Sequence, residues 1–459
     1  MYLGIDIGTT SVKAGLFTHE GDLVRGAVNR YRQFRSCESF VEINPDVFWN
    51  ALCEALRELK PPPEISGISI GGHGPSPVFL DASMEPVAPS ILWLDGRAER
   101  EASLLSELLG RPVQPAWYVP QTMWLRNHRP EIFTRLRKVL QPMDYVAWKL
   151  TGSLTASIAS KEMLPWSDDE IDAAGLDPGL FPEQQIMGEL TGCTRPDLSR
   201  RAGLPGGIPV FAGAPDFVEA ILATASFERG IVCDKAGTSE GIELCWDAPI
   251  EGFYTAPHPL DGALWHTGAS LSTTGLSMEW MASLVSKHPW ELAEEAEISP
   301  PGSGGLTFLP YLSSERHSIS AMGAMVNISL NHGLPEVSRA IMEGCACAMR
   351  LVIDRFKEMG AYIKEIRTTG TQSISRLWNQ MKADVTGLPV ITQRVLEGEM
   401  LGAAMIAAYG SGDYHSIREA SRCMSHPRER FEPDSMTGDR IFEQFRRSAG
   451  GIAHSGRIK

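Results

Sequence analysis

Asp216 stands where a single carboxylate can do acid–base work. The run Pro209-Val-Phe-Ala-Gly-Ala-Pro215 reads as a short buried strand ending in a Gly-rich turn, with a helical run over Phe217–Ala225 behind it. A carboxylate held at that strand end can take a proton from a hydroxyl, or it can simply cap the helix. Two Gly-Thr pairs point to a second chemistry. Leu3-Gly-Ile-Asp6-Ile-Gly8-Thr9-Thr10-Ser11 and Ile231-Val-Cys-Asp234-Lys-Ala-Gly237-Thr238-Ser239 share one order: apolar strand, Asp, one or two residues, Gly-Thr, then a second strand. Gly lets the backbone turn and approach a ligand closely, and the freed N–H groups with the Thr hydroxyls can cradle an anion such as a phosphate. One Gly-Thr hairpin is as often an ordinary turn. Two in register, their aspartates 228 residues apart in a chain of 459, suggest two related halves that hold a nucleotide between them. His73 follows Gly71-Gly72 at the end of a strand over Ile65–Ile70, on the same edge as Asp216. A lone His is more often structural than a ligand, and this placement narrows the odds.

The elements that must position these residues alternate between strand and helix, which implies a partly parallel sheet with ligands at the strand C-termini. A strand meander is expected over Tyr2–Ile7, Val12–Phe17 and Leu23–Val28. A helix over Asp46–Leu59 follows, capped by Asn44-Pro-Asp and stopped by Pro61-Pro-Pro. Trp124–His128, Pro130–Lys138 and Asp144–Leu150 read as helices, while 155–205 is polar, Pro- and Gly-punctuated and unassigned. In the second half, strands are expected at Ala263–Ser270, Leu306–Leu312, Ile363–Thr369 and from Val390. Helices are expected at Gly275–Leu284, Pro335–Met359, Arg376–Thr386 and Met400–Tyr409. The tail after Gly412 is charged and reads as peripheral.

The length suits two domains, each able to bury a full core. With 42 Lys and Arg against 56 Asp and Glu, the net charge of −14 argues against general nucleic-acid binding. It does not exclude a nucleotide, because a local nest of N–H groups and Mg²⁺ outweighs a diffuse field. The eight Cys residues include no C-x-x-C pair, so buried free thiols in a reducing cytoplasm are expected. The chain opens directly on a strand, with no signal-peptide pattern. No apolar run approaches the ~20 residues needed to span a bilayer.

Several segments, in this order and spacing, make the chain similar to the FGGY family of carbohydrate kinases. They are Asp6-Ile-Gly-Thr-Thr-Ser-Val-Lys13; Trp93-Leu-Asp95-Gly-Arg97; Pro120-Gln-Thr-Met-Trp124; Asp144-Tyr-Val-Ala-Trp-Lys-Leu-Thr-Gly; Phe308-Leu-Pro-Tyr-Leu-Ser-Ser-Glu315-Arg316; Arg339-Ala-Ile-Met-Glu-Gly; Leu377-Trp-Asn-Gln-Met-Lys; and Glu399-Met-Leu-Gly-Ala-Ala. The resemblance implies an α/β, two-domain actin-like ATPase fold of the ribonuclease H-like class, duplicated, with the active site in the inter-domain cleft. It implies an N-terminal domain over 1–226 and a C-terminal domain over 227–459. It also implies a cytoplasmic enzyme that uses ATP and Mg²⁺ to phosphorylate a sugar, with a ketopentose such as xylulose, or a related polyol or sugar acid, foremost. A small-molecule sugar and ATP would be its partners, with no nucleic acid or membrane, and a homodimer is compatible with this. By the same resemblance Asp6 would hold Mg²⁺. Gly8, Thr9, Thr10 and Lys13 would meet the β/γ-phosphates, and Gly237 and Thr238 would meet them from the other domain. Gly275 and Glu279 match positions near the nucleotide, and Gly370, Thr371 and Ser375 match the adenosine loop. Asp216 matches the general base, and Gly72, His73 and Phe217 match substrate contacts.

The sequence also departs from the family pattern. Phe217 replaces an Asn that would bond a sugar hydroxyl, Gln121 replaces a Lys, and the adenosine loop reads Gly370-Thr-Gln372 instead of a Gly-Gly-Gly type run. These departures keep two alternatives in view. One is a non-catalytic sugar or nucleotide sensor on the same fold. The other is an actin-like or heat-shock-chaperone-like ATPase acting on protein partners, although such a protein has no need of His73 or the Trp93-x-Asp95-x-Arg97 match.

Overall fold

The computed structural model describes residues 1–32, 34–37, 40–312 and 323–454, with side chains throughout except at 34–37 and 451–454. Residues 313–316, which end the segment begun at Phe308, lie outside the described residues. The chain forms two compact units, Met1–Ala223 with Glu399–Met424, and Thr224–Gly398 with Ser425–Lys459. The second stretch of each unit comes from late in the chain, so no single cut separates them.

Unit 1 is built on β1 (Tyr2–Ile7), β2 (Ser11–Phe17) and β3 (Leu23–Arg30), then helix α1 (Asp46–Leu59), β4 (Gly67–Gly72), β5 (Leu190–Cys193), β6 (Pro209–Pro215) and α2 (Asp216–Ala223). The sheet order is β5-β6-β4-β1-β2-β3. β1, β4 and β6 run parallel, and the meander β1-β2-β3 is antiparallel. Every residue of β1 is buried, as a central strand covered on both faces requires. Phe48, Leu52 and Leu56 of α1 close one face against Leu3, Ile5 and Val12. The stretch 74–181 carries its own apolar cluster, with Phe79, Tyr118, Trp166 and Phe181 at its centre. The expected helices are found at Tyr118–His128, Pro130–Phe133 and Pro142–Thr151, the second ending five residues short of Lys138, where a strand at Lys138–Leu140 begins; two more helices run Glu99–Leu109 and Asp168–Ala174.

Unit 2 repeats the plan. β7 (Ile231–Ala236) and β8 (Glu240–Trp246) are followed by β9 (Tyr254–His258), β10 (Asp261–Leu271), α3 (Thr274–Val285), α4 (Leu334–Glu358), β11 (Glu365–Thr369), α5 (Arg376–Thr386), β12 (Val390–Gln393), β13 (Pro427–Phe431) and α6 (Ser435–His454). The order is β9-β10-β8-β7-β11-β12-β13. The run β10-β8-β7-β11-β12 has the pairing senses of β3-β2-β1-β4-β6, a meander followed by two parallel additions. The two halves read from the Gly-Thr repeats are therefore two copies of one topology. α4 lays Met349, Ile353 and Phe356 on Val232, Ile242, Leu244 and Ile366. The tail is not peripheral: Ile441, Phe442 and Phe445 of α6 are buried with Phe308, Ile341 and Trp378. Its charges mask the signal, because only one face of a helix needs to be apolar. Among the described residues Cys53, Cys233, Cys245, Cys345 and Cys347 are buried free thiols, Cys193 and Cys423 are exposed ones, and no helix is long and apolar enough to cross a membrane.

Candidate active site

In unit 1 the predicted residues gather at the C-terminal ends of three neighbouring parallel strands. Asp6 of β1 is opposite Gly71, and Ile7 is opposite Gly72 of β4. Gly72 is in turn opposite Pro215 of β6, directly before Asp216. Two strand spacings, about 10 Å, thus separate the backbones that carry Asp6 and Asp216, with His73 on the strand between. The expected turn before Asp216 is instead the end of β6, which runs to Pro215 with an irregular register between Ala212 and Pro215. Asp216 opens α2 and is half-buried, as is Phe217. His73 is buried. Its Nδ1 lies 2.7 Å from the Ile7 carbonyl oxygen, an acceptor only, so Nδ1 carries the proton and donates. Its ring meets the Phe48 ring edge-on, with centroids 5.8 Å apart.

The hairpin between β1 and β2 closes through Gly8 N donating to Ser11 O at 2.8 Å, and Tyr31 N donates to Thr10 O at 2.9 Å. The Tyr31 hydroxyl donates to the Gly8 carbonyl, and Trp93 Nε1 donates to Thr9 Oγ1 at 3.0 Å. Lys13 reaches two carboxylates, Asp6 at 3.8 Å and Glu399 at 3.9 Å. No group of three or more metal-ligating side chains assembles among the described residues. A hard oxygen donor such as the buried Asp6 carboxylate nevertheless suits Mg²⁺, which is usually held by one or two carboxylates together with waters and substrate phosphates.

In unit 2 the segments around Gly237, Gly275 and Gly370 converge. Gly237 N donates to Ser239 O at 3.0 Å and Leu276 N donates to Thr238 O at 2.9 Å, which joins the hairpin to the start of α3. A Cβ on Gly275 would overlap the Gly237 carbonyl, and one on Gly370, whose φ is +94°, would overlap that of Ala236. Gly275 is demanded by contact, and Gly370 by contact as well as by conformation. Ser375 Oγ accepts from Trp378 N at 3.2 Å and caps α5, while Thr371 is exposed beside it. Glu279 stands one turn along α3 from Gly275, exposed.

Other family-like residues are used within the fold. Arg97 is bonded to Asp95 through Nε at 2.8 Å and Nη2 at 2.7 Å, and to Glu42 at 2.5 Å. Its guanidinium lies over the Phe40 and Trp124 rings. Glu343 accepts from Gly302 N at 2.9 Å and from Arg339 Nε at 2.8 Å, which pins the loop before Leu306. Asp144 is buried, accepting from Gln141 Nε2 at 2.8 Å and Ser157 N at 2.9 Å. Burial pushes its carboxyl up to about 7 against those bonds.

Two features escaped the sequence reading. Lys382 of α5, fully buried, binds Asp234 of β7 at 2.7 Å and also Glu240 of β8, at the stem of the second Gly-Thr hairpin. Desolvation, with Asp234 alongside, holds the Glu240 carboxyl well above its usual range. Gln372, marked only as a departure, sends Nε2 to Gly237 O at 2.7 Å and to Thr274 Oγ1 at 3.0 Å. A Lys between Met381 and Ala383 and an amide in a glycine position were the available signals.

The chain is similar to known proteins over most of its length. The family model described as the FGGY family of carbohydrate kinases, N-terminal domain, matches residues 1–223, and its C-terminal counterpart matches 232–411. A xylulose kinase of Lactococcus lactis is 28% identical over 458 residues, spanning 93% of this chain and 91% of the relative. A gluconokinase of Bacillus subtilis is 26% identical, spanning 91% and 89%. Among solved structures, a xylulose kinase from Rhodospirillum rubrum has a TM-score of 0.80 at 25% identity, covering 98% of each chain. A ligand-bound xylulose kinase from Lactobacillus acidophilus reaches 0.84 at 21% identity, a likeness of fold alone. The fold is the two-domain actin-like ATPase fold, in mixed α/β form.

Proposed function

Because the chain belongs to the FGGY family of carbohydrate kinases, and so is an enzyme that phosphorylates sugars, we propose that its acceptor is a ketopentose of the xylulose type and that Asp216 is the base. One observation carries the proposal. Asp6, His73 and Asp216 occupy the ends of adjacent parallel strands, where ligands of such sheets gather. Asp216 takes the proton of the attacking sugar hydroxyl as its oxygen bonds to the γ-phosphorus of ATP, and the bond from that phosphorus to the β–γ bridging oxygen breaks. His73, fixed through Nδ1, presents Nε2 to the sugar. Gly8, Thr9, Thr10 and Lys13 meet the phosphates from unit 1. Within unit 2, Gly237 and Thr238 would meet phosphates, with Gly275, Glu279, Gly370, Thr371 and Ser375 around the nucleoside. Mg²⁺, when bound, offsets charge on the transferring group, and Asp6 would hold it. Phe217, where the family pattern has Asn, would give the sugar an apolar neighbour.

The test is an ADP-release assay over a panel of ketopentoses, polyols and sugar acids, repeated with Asp216→Asn. Turnover on a ketopentose is expected from the wild type. The variant, which keeps a helix-capping side chain of nearly the same shape, should melt normally, still bind ATP and lose at least ~100-fold in kcat. Near-normal turnover by Asp216→Asn would leave Asp216 a cap.

A further inference from the structure

We infer that Gln372 is a positioning residue that aims the Thr238 amide at the phosphates of the bound nucleotide. The inference rests on the nucleotide site proposed above and adds to it a determinant that the family pattern lacks. Gln372 is almost fully buried, and both hydrogens of its Nε2 are used, on the Gly237 carbonyl at 2.7 Å and Thr274 Oγ1 at 3.0 Å. The Gly237 carbonyl cannot donate, which fixes the orientation of the amide. The Gly237–Thr238 peptide is planar and trans, so its C=O and N–H point in opposite directions. Drawing the carbonyl towards Gln372 therefore turns the Thr238 N–H to the opposite side, at a residue that is itself exposed. An N–H so presented is the group a phosphate oxygen needs, and holding it in place beforehand lowers the ordering cost of binding.

The anchor is itself held. Ser373 Oγ donates to Gly370 O at 2.6 Å, and Asn379 Nδ2 of α5 donates to Ser373 O at 2.8 Å. One turn further along α5, Lys382 clamps the stem of the same hairpin from below. Loop, helix and hairpin thus form one body. Gln372 is the side chain that reaches the hairpin tip, where a run of glycines in the loop would have none to offer.

Gln372→Met is the discriminating variant. It keeps the length of the side chain and removes the donor. It also removes Oε1, which has no hydrogen-bond partner in the structure, so the fold loses little on that side. Calorimetry with ADP and competition with adenosine separate the phosphate-dependent part of affinity from the rest. The expected result is a ~10-fold weaker ADP, about 1.4 kcal/mol, with adenosine within about twofold of wild type. Equal weakening of both ligands, or of neither, would overturn the inference. Hydrogen exchange on the ligand-free protein supplies a readout that does not depend on nucleotide. Amides of 236–240 should exchange faster in Gln372→Met, and unchanged exchange there would count against the latch even if the wild type bound no ADP. Failure of wild-type ADP binding would instead sink the nucleotide reading.

Discussion

At the scale of single residues, the chemistry depends on what each carboxylate faces. Asp6 lies beside the Gly8–Thr10 hairpin and near Lys13, whereas Asp144 is enclosed by the Gln141 side chain and the Ser157 amide. Asp6→Ala should lower turnover far more than it lowers sugar affinity, as the kcat and KM of the steady-state assay will separate. Turnover within about tenfold of wild type, roughly 1.4 kcal/mol, would remove Asp6 from the machinery. Asp144 bears on pH instead. Its folded value of about 7 lies above the ~3.9 of an exposed Asp, so the folded state keeps the proton longer. The stability this group contributes is complete below about pH 4 and is lost as pH rises through about 7. Melting curves of wild type should therefore fall relative to Asp144→Asn between about pH 5 and 7, whatever the substitution costs at the acid end. Parallel curves would refute the shift.

At the scale of elements, α5 is the organising piece of unit 2. It caps itself on Ser375, pins the loop through Asn379 and sends Lys382 between Asp234 and Glu240. A buried ammonium shared by two carboxylates is costly to break, because either partner left alone is a desolvated charge. Lys382→Met should cost about 3–5 kcal/mol in denaturant unfolding. Glu240→Gln should cost less than that, because desolvation and the neighbouring Asp234 raise the Glu240 carboxyl and so reduce what is lost with its charge. Equal losses in the two variants would show that Glu240 is ionised. The reach of α5 also explains what the sequence could and could not disclose. Arg376–Thr386 was legible as a helix, and so were the strand end before Asp216 and the hairpins at the Gly-Thr pairs, from their punctuation. Lys382–Asp234 and Gln372–Gly237 join residues 148 and 135 positions apart, and no local pattern records such a pairing. The same limit applies to 155–205, where Thr155–Ile158 pairs in parallel with Glu183–Ile186 across an intervening helix and Leu190–Cys193 pairs with a strand outside the stretch.

At the scale of the whole molecule, the chain carries one topology twice, with different groups at the same edge of each copy. Unit 1 has carboxylates and an imidazole at its strand ends, while unit 2 has backbone amides set by buried polar side chains. The Gly-Thr repeat made the duplication readable. The return of Glu399–Met424 to unit 1 was not readable, since the apolar run Met400–Tyr409 says that a helix is buried without saying where.

That return has a consequence for synthesis. The helix Gly398–Gly410 lies so close to β1 that a Cβ on Gly4 would overlap the Met400 carbonyl, and the same helix lies against Gly67 of β4. A nascent chain that has emerged only as far as residue 226 therefore holds a sheet whose cover is still untranslated. Released alone, 1–226 should bind an apolar dye and pellet, and adding 399–424 in trans or by fusion should restore solubility. A soluble, cooperatively melting 1–226 would mean that the sheet needs no such cover. On the ribosome the first-made half must wait for residues 399–424, and throughout that interval its apolar face is open to chaperones and to neighbouring chains.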